Sequence, residues 1–377
     1  HLSLRRQRQM CIRDRFMKLL KIICTLSLIL SITGCKSKPE YQYLKTTFSG
    51  PFDTVTTYIA YAKKQEEFDQ QVTMIKEEMT QLDHLFDKYT SHEGVNNIKT
   101  INDNAGIKPV KVDQVIIDLL EESIKNYHTI SSKVNIAMGS VLDLWHDSRE
   151  NAVGGIGEPP TQAQLEQANQ YTNINNIMID KENSTVYISD VNTKIDVGAT
   201  AKGYAVEIIK DKLIDSGVES FLLSAGGNVA GHGTRKLEAK GNDNLPRSKK
   251  EFLLGIETPN SGAYDENYPA YIIATDVSVV TSGDYQRNFV GTDGKVYNHL
   301  IDPDTLYPAT YFRSVSIVTE DSGYADFLSS VLFLTPFEEG KAFVESLEGV
   351  EAIWLLNDGT VEYSSGLVEG DNFYKNQ

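Results

Sequence analysis

Apolar residues recur every three or four positions at Phe68, Val72, Ile75, Met79 and Leu82, which predicts a long helix over 66–86. Similar spacing predicts helices over 113–129, over 160–173 after a Gly/Pro-rich loop, and over 323–334. A further helix follows "DVGATAKGYAVE", Asp196 to Glu207, where Ala205, Ile208, Ile209 and Leu213 keep helical spacing and Gly217 stands at the stop. Strand signals differ in kind. Phe52 to Tyr61 is rich in β-branched and aromatic residues, "SFLLSAGGNVAGHG" runs from a strand into a glycine turn, and "AYIIATDVSVVTSG" and "SVSIVTED" read as strands. "NSTVYISDVNTKIDVG" predicts a hairpin leading into the Asp196 stretch, and "AIWLLNDGTVEYSSG" a closing one; "DKYTSHEGVNNIKTINDNAG" reads as a polar loop. Helices and strands mix without regular βα alternation, so the expected class is α+β: mixed and antiparallel sheets packed with helices, in a single large domain of two closely packed lobes.

The leading residues change the picture. Residues 1–16 resemble a translated sequencing-adapter fragment and are set aside, because Met17 opens an orderly leader: Lys18 and Lys21, an apolar run from Ile22 to Ile32, then "ITGC". That run falls short of the roughly 20 apolar residues a membrane-spanning helix needs. It reads as a signal peptide over 17–34, with Cys35 in a sequence that resembles a lipobox; an ordinary secretory signal is the alternative. A tether over 35–46, a main domain over 47–367 and a tail over 368–377 follow, with 235–251 a polar, charged insertion of disordered composition. The three cysteines are Cys11, Cys24 and Cys35, so the main domain has no thiol for a disulfide, a metal or a nucleophile. Seven of the 36 Lys and Arg but one of the 52 acids fall in the first 34 residues, leaving a net charge of −22 beyond them. Such a surface repels nucleic acid and anionic headgroups, and membrane attachment would come from lipid on Cys35.

Candidate chemistry is scattered. Asp326 and Ser330, four apart on the helix over 323–334, put two oxygens on one face, a pattern suited to Mg²⁺. Spacing alone favours a solvent-facing Asp beside a packed Ser. The stretch "TSGDYQRNFVGTDGKVYNHLIDPDTLYP" gathers Asp284, His299 and an Ile-Asp-Pro; His299 suits a base, a phosphate ligand or a structural hydrogen bond. Trp145, in "KVNIAMGSVLDLWHD", suits either stacking on a planar ring or a place in the core. No HExxH, Walker loop or G-x-S-x-G elbow is present. The Asp196 stretch opens a helix with small residues and a lysine, which suits an anionic group such as phosphate.

Taken in order, "DVGATAKGYAVE", "TSGDYQR" with "YNHLIDPDT", and "ADFLSS" resemble three sequence blocks of the ApbE family, the FAD:protein FMN transferases, over about Phe48 to Leu367. The resemblance implies Mg²⁺-dependent transfer of FMN from FAD, its substrate, to a Thr or Ser hydroxyl of an exported acceptor protein carrying a Ser/Thr target motif, with release of AMP. It places the metal at the Ala199 carbonyl, Asp326 and Ser330, with Ser329 adjacent. It places FAD against Phe52, Tyr89, Lys133, Val134, Asn135, Asp196, Lys202 and Ile301, and names His299 or Asp284 as base. FAD hydrolysis at the same site and non-catalytic FAD binding are the alternatives. The implied location is the outer side of the cell membrane, lipid-anchored. Four positions depart from the family pattern: Ser330 for Thr, Asn135 for Asp, Leu306 for Gly and Thr200 for Ile.

Overall fold

One eight-stranded sheet organises the chain, and its strands lie side by side in sequence order. They are β1 (Gln42–Ser49), β2 (Val55–Ala62), β3 (Ser220–Ala225), β4 (Asn228–Gly233), β5 (Ser278–Gly283), β6 (Ser314–Thr319), β7 (Glu351–Leu355) and β8 (Val361–Tyr363). From β2 onward every neighbouring pair is antiparallel. The computed structural model describes residues 40–236, 250–257 and 268–375. The leader, Cys35 and most of the charged insertion over 235–251 therefore lie outside the described residues. From Tyr43 on, the chain is one compact unit.

Long connections between strands carry the helices: α1 (Gln65–Phe86), α2 (Ile98–Asp103), α3 (Gln114–Thr129), α4 (Gly139–Glu150), α5 (Gln162–Asn169) and α6 (Ala201–Asp215) between β2 and β3, then α7 (Ser322–Phe333) and α8 (Phe337–Val344) between β6 and β7. Buried cores result, two of them on the main sheet. Ile75 of α1, Ile116 of α3 and Ile209 of α6 pack with Tyr58 of β2 and Phe221 of β3, all fully buried. Leu328 of α7 packs with Val315, Ile317 and Trp354 from β6 and β7. Helices α6 and α7 run against each other between these cores. Burial on this scale is the main favourable term in folding, at about 25 cal/mol per Å² of apolar surface.

Several sequence expectations need correction. The polar loop contains a helix, α2, because Asn97 and Thr100 form a reciprocal capping box that starts it despite few apolar residues. The strand expected from Phe52 begins at Val55, since Pro51–Asp53 is a 3-10 turn with Phe52 and Asp53 both at positive φ, 57° and 51°. The hairpin expected over 183–198 lies earlier: Thr185–Ile188 pairs with Ile177–Asp180, and the chain from Ser189 to the Asp196 stretch runs irregularly. Trp145 sits within helix α4; it is 4% exposed and its Nε1 donates to the Leu306 carbonyl, so of the two expectations it meets the place in the core. In the expected tail, Phe373–Lys375 forms a strand beside Ala270–Ala274.

The turn between β3 and β4 needs its glycine. Gly226 has φ 53°, and a Cβ there would lie 2.2 Å from the Thr54 hydroxyl, so any side chain would push Thr54 away from the start of β2.

Candidate active site

The Asp196 stretch ends where α6 begins, and the start of α6 is capped from outside. Thr200 makes no side-chain cap. Instead the Gly203 N–H donates to Oδ2 of Asp326, on α7, at 2.8 Å. As the third residue of α6, Gly203 carries one of the four N–H groups that a helix start leaves without an intrahelical partner, and the Asp326 carboxylate satisfies it. The Ala199 carbonyl, one residue before the Thr200 cap, accepts no backbone hydrogen bond among the described residues. The Asp326 cap requires a close helix contact, and a Cβ on Gly203 would sit 2.3 Å from the Ser322 carbonyl and 2.4 Å from Asp326 Cβ.

Asp326 is 4% exposed, and its other oxygen, Oδ1, lies 3.9 Å from Lys202 Nζ, beyond hydrogen-bond reach. Ser330 stands one turn further along α7 and is also buried. Ser329 is already committed: its hydroxyl donates to the Asp326 carbonyl and pairs with Ser282 of β5 at 2.8 Å. An unbonded carbonyl, a carboxylate oxygen and a hydroxyl are hard donors of the kind Mg²⁺ takes, leaving room for phosphate oxygens and water. The residues present thus fit the implied metal through Ala199, Asp326 and Ser330, with Ser329 serving to hold α7 on the sheet. Among the described residues no group of three His, Cys, Asp or Glu could hold a metal ion.

His299 lies among cations. Burial and the charges of Arg287, Lys202 and Arg149 push its imidazole down to about 3, and its Nδ1 is buried without a partner. Arg287 also donates to the Phe52 carbonyl, which joins the Phe52 turn to this group. The ring is therefore neutral at physiological pH, with one nitrogen available. Because its folded pKa lies below the unfolded value, His299 favours folding above about pH 6.5, and that contribution fades as pH falls from there toward 3. His299→Gln should therefore flatten the acid side of the stability profile between pH 6.5 and 4, read by denaturant titration at each pH; an unchanged slope would mean that the imidazole titrates normally. Asp284, the other candidate base, is held differently. Its Oδ2 pairs with Arg313 Nε at 2.7 Å, while its Oδ1 is buried without a hydrogen-bond partner.

A second wall adjoins these residues. Asp196 Oδ2 pairs with Lys88 at 2.6 Å while its Oδ1 takes the Gly198 N–H, so the loop before Ala199 is anchored from both sides. Lys88 also meets Asp143 of α4 at 2.8 Å; burial works against its charge, but the two carboxylates raise its pKa above the ordinary lysine range. Tyr89 is 54% exposed and lies flat on His146 at 4.5 Å. His146 Nδ1 is within 3.0 Å of Arg149 Nη2, and the pKa of His146 is lowered by burial and then by Arg149 and Lys88. Lys88, Asp143, His146 and Arg149 were not anticipated from sequence: they sit in α4 and after α1, where each reads as an ordinary surface charge until the fold turns them inward.

Comparison with known proteins fits this arrangement. Residues 52–354 match the ApbE family. The chain belongs to the ApbE family. It is 29% identical to the FAD:protein FMN transferase of Treponema pallidum over 278 residues, 72% of this chain and 74% of that protein. It is 26% identical to the FAD:protein FMN transferase of Vibrio cholerae over 346 residues, covering 91% and 96% of the two chains. In three dimensions it resembles the crystal structure of the ApbE protein of Thermotoga maritima with a TM-score of 0.72 and 26% identity, covering 86% of this chain and 98% of that one.

Against the ApbE pattern, the remaining positions divide by what they touch. Lys133 Nζ bridges Asp302 at 2.8 Å and Asp304 at 2.7 Å, so here it fastens the segment that carries His299 and Ile301. Asn135 caps its own turn, accepting from the Ala137 N–H and donating to the Thr172 carbonyl. An Asp at 135 would lose the second bond, which accounts for the amide at this position. Val134 and Ile301 are 6% and 5% exposed and pack in separate cores, so their side chains shape the walls from behind. Leu306, where the ApbE pattern has glycine, takes φ 66°. That conformation costs a non-glycine residue about 1–2 kcal/mol. Burial of the leucine against Trp145 and Ile301 offsets it.

Proposed function

We propose that this chain is an FAD:protein FMN transferase, moving FMN from FAD to a threonine or serine hydroxyl of an acceptor protein and releasing AMP. The observation that carries the reading is the buried Asp326 carboxylate seated on the start of α6 through the Gly203 N–H, with the unbonded Ala199 carbonyl in the loop just before that helix and Lys202, Arg287 and Arg149 as cations around His299. Ala199, Asp326 and Ser330 would hold Mg²⁺, which, when bound, neutralises charge on the diphosphate of the substrate.

The chain's own residues supply the rest. Lys202, Arg287 and Arg149 form a positive field for the diphosphate, and Asp196 with Lys88 fixes the loop that presents Ala199. Tyr89 offers an exposed ring face for a planar group. The acceptor hydroxyl oxygen attacks the phosphorus on the FMN side, the bond between the two phosphates breaks, AMP leaves with that electron pair, and the hydroxyl proton passes to His299. A diphosphate entering among the three cations offsets the charges that hold the imidazole weakly basic, so its basicity rises when substrate is present. Most of the rate comes from positioning and charge.

The same reading puts the protein on the outer face of a membrane, held by lipid on Cys35. The deciding experiment is mass spectrometry of a peptide bearing the family's Ser/Thr target motif after incubation with the protein and FAD. The expected result is a gain of one FMN in the presence of Mg²⁺ and none after chelation. AMP released equally with and without the peptide would instead make the protein a hydrolase.

A further inference from the structure

A small three-stranded sheet beside the site carries a row of exposed apolar side chains. Val153 bridges Ile156, Ile156 lies beside Val290 in parallel register, and Val290 faces Val296 in antiparallel register. Directly paired residues share a face of a sheet, and adjacent strands lie about 4.8 Å apart, so the four side chains form one row about 14 Å long. Their exposures are 84%, 55%, 38% and 57%. The opposite face is closed: Phe289 and Tyr297 are buried there against Trp145. Isolated exposed valines are ordinary, whereas a contiguous row is the kind of surface that another molecule covers.

Position and charge say what covers it. The row is continuous with the reaction centre along the chain: Arg149 lies four residues before Val153, Arg287 three before Val290, and His299 three after Val296. A protein substrate whose hydroxyl reaches His299 must cross the surface next to it. The charges around the row are already matched, Arg149 with Glu150 at 3.1 Å and Lys295 with Asp293 at 3.2 Å, while Glu158 accepts from the Thr292 hydroxyl. Both rim cations are thus paired and one acid, Glu158, is left over, so the rim offers an incoming segment little charge to pair with, and the row itself rewards apolar contact. We propose that the face formed by Val153, Ile156, Val290 and Val296 docks the acceptor protein through apolar residues flanking its target hydroxyl. This inference rests on the transferase reading and adds the chemistry of the partner.

The test uses two peptides of equal length with the same Ser/Thr target motif, one flanked by leucine and valine, the other by serine. Wild type should show a KM about tenfold lower for the apolar peptide, the difference that burial of one or two such side chains supplies. The double variant Val153→Lys with Val290→Lys should erase that difference, leaving FAD affinity by flavin fluorescence and the kcat for the serine-flanked peptide unchanged. Both sites are exposed, so folding should be little altered. Equal KM values in wild type, or discrimination kept by the double variant, overturns the docking face. A wild-type dimer in sedimentation that the double variant dissociates would give the face to a second copy and likewise overturn it. Labelling of neither peptide by wild type removes the transferase reading itself, and this inference with it.

Discussion

Asp326→Asn is expected to fold like the wild type and to lose FMN transfer by on the order of a thousandfold, equivalent to about 4 kcal/mol in the barrier. The amide keeps one carbonyl oxygen, which can still accept the Gly203 N–H now bonded at 2.8 Å, so α6 stays capped and α7 stays beside it. Lost is the negative charge, and with it the strongest donor for a divalent cation and the counter-charge near Lys202. Asp326→Ala is the less informative variant, because it also leaves a buried N–H unpaired at a cost of about 1–3 kcal/mol. The measurement pairs a melting curve with the rate of FMN attachment across a Mg²⁺ titration. Activity within tenfold of wild type, with unchanged Mg²⁺ dependence, would remove Asp326 from the metal site.

How far the sequence reached is clearest at α6 and α7. Both helices were legible from apolar spacing, and so was the glycine turn between β3 and β4, since these signals are local. Resemblance singled out Ala199, Lys202, Asp326 and Ser330, and the fold brings Lys202 and Asp326 together through Gly203. It could not say that Asp326 caps α6, because that contact spans more than a hundred residues of chain. The α+β class followed from the mixed order of elements, but the sequence-ordered sheet did not, as strand neighbours are set by tertiary packing.

What the sequence left out shares a cause as well. Asp284, Ser329 and Lys133 carry suitable atoms, and only the fold shows their partners, Arg313, Ser282, and Asp302 with Asp304. In the other direction, Lys88 and Arg149 lacked any periodic or motif signal. Hydrogen-bond and charge partners far apart in sequence decide both, and no window along the chain contains them.

Gly203→Ala should be strongly damaging although it adds a single methyl. A Cβ at 203 would meet the Ser322 carbonyl at 2.3 Å, Asp326 Cβ at 2.4 Å and Asp326 Cγ at 3.1 Å. The first is backbone, and the other two belong to a side chain whose root cannot swing away, so relief requires α6 and α7 to part. Overpacking of this kind costs typically 1–3 kcal/mol and at times more, against a helix-propensity gain of about 1 kcal/mol from replacing glycine. The clash should win, lowering the melting temperature by several degrees. Activity should fall further than stability. Separating the helices breaks the Gly203 bond to Asp326, leaves that N–H without its cap, and moves the Asp326 carboxylate and the Ser330 hydroxyl on α7 away from the loop that carries Ala199. A displacement near 1 Å in a reacting site can cost on the order of a hundredfold. Transfer assayed well below the melting temperature separates the two effects: a folded variant with little activity is the expected result. Wild-type melting together with wild-type transfer would mean that the helices do not meet as described.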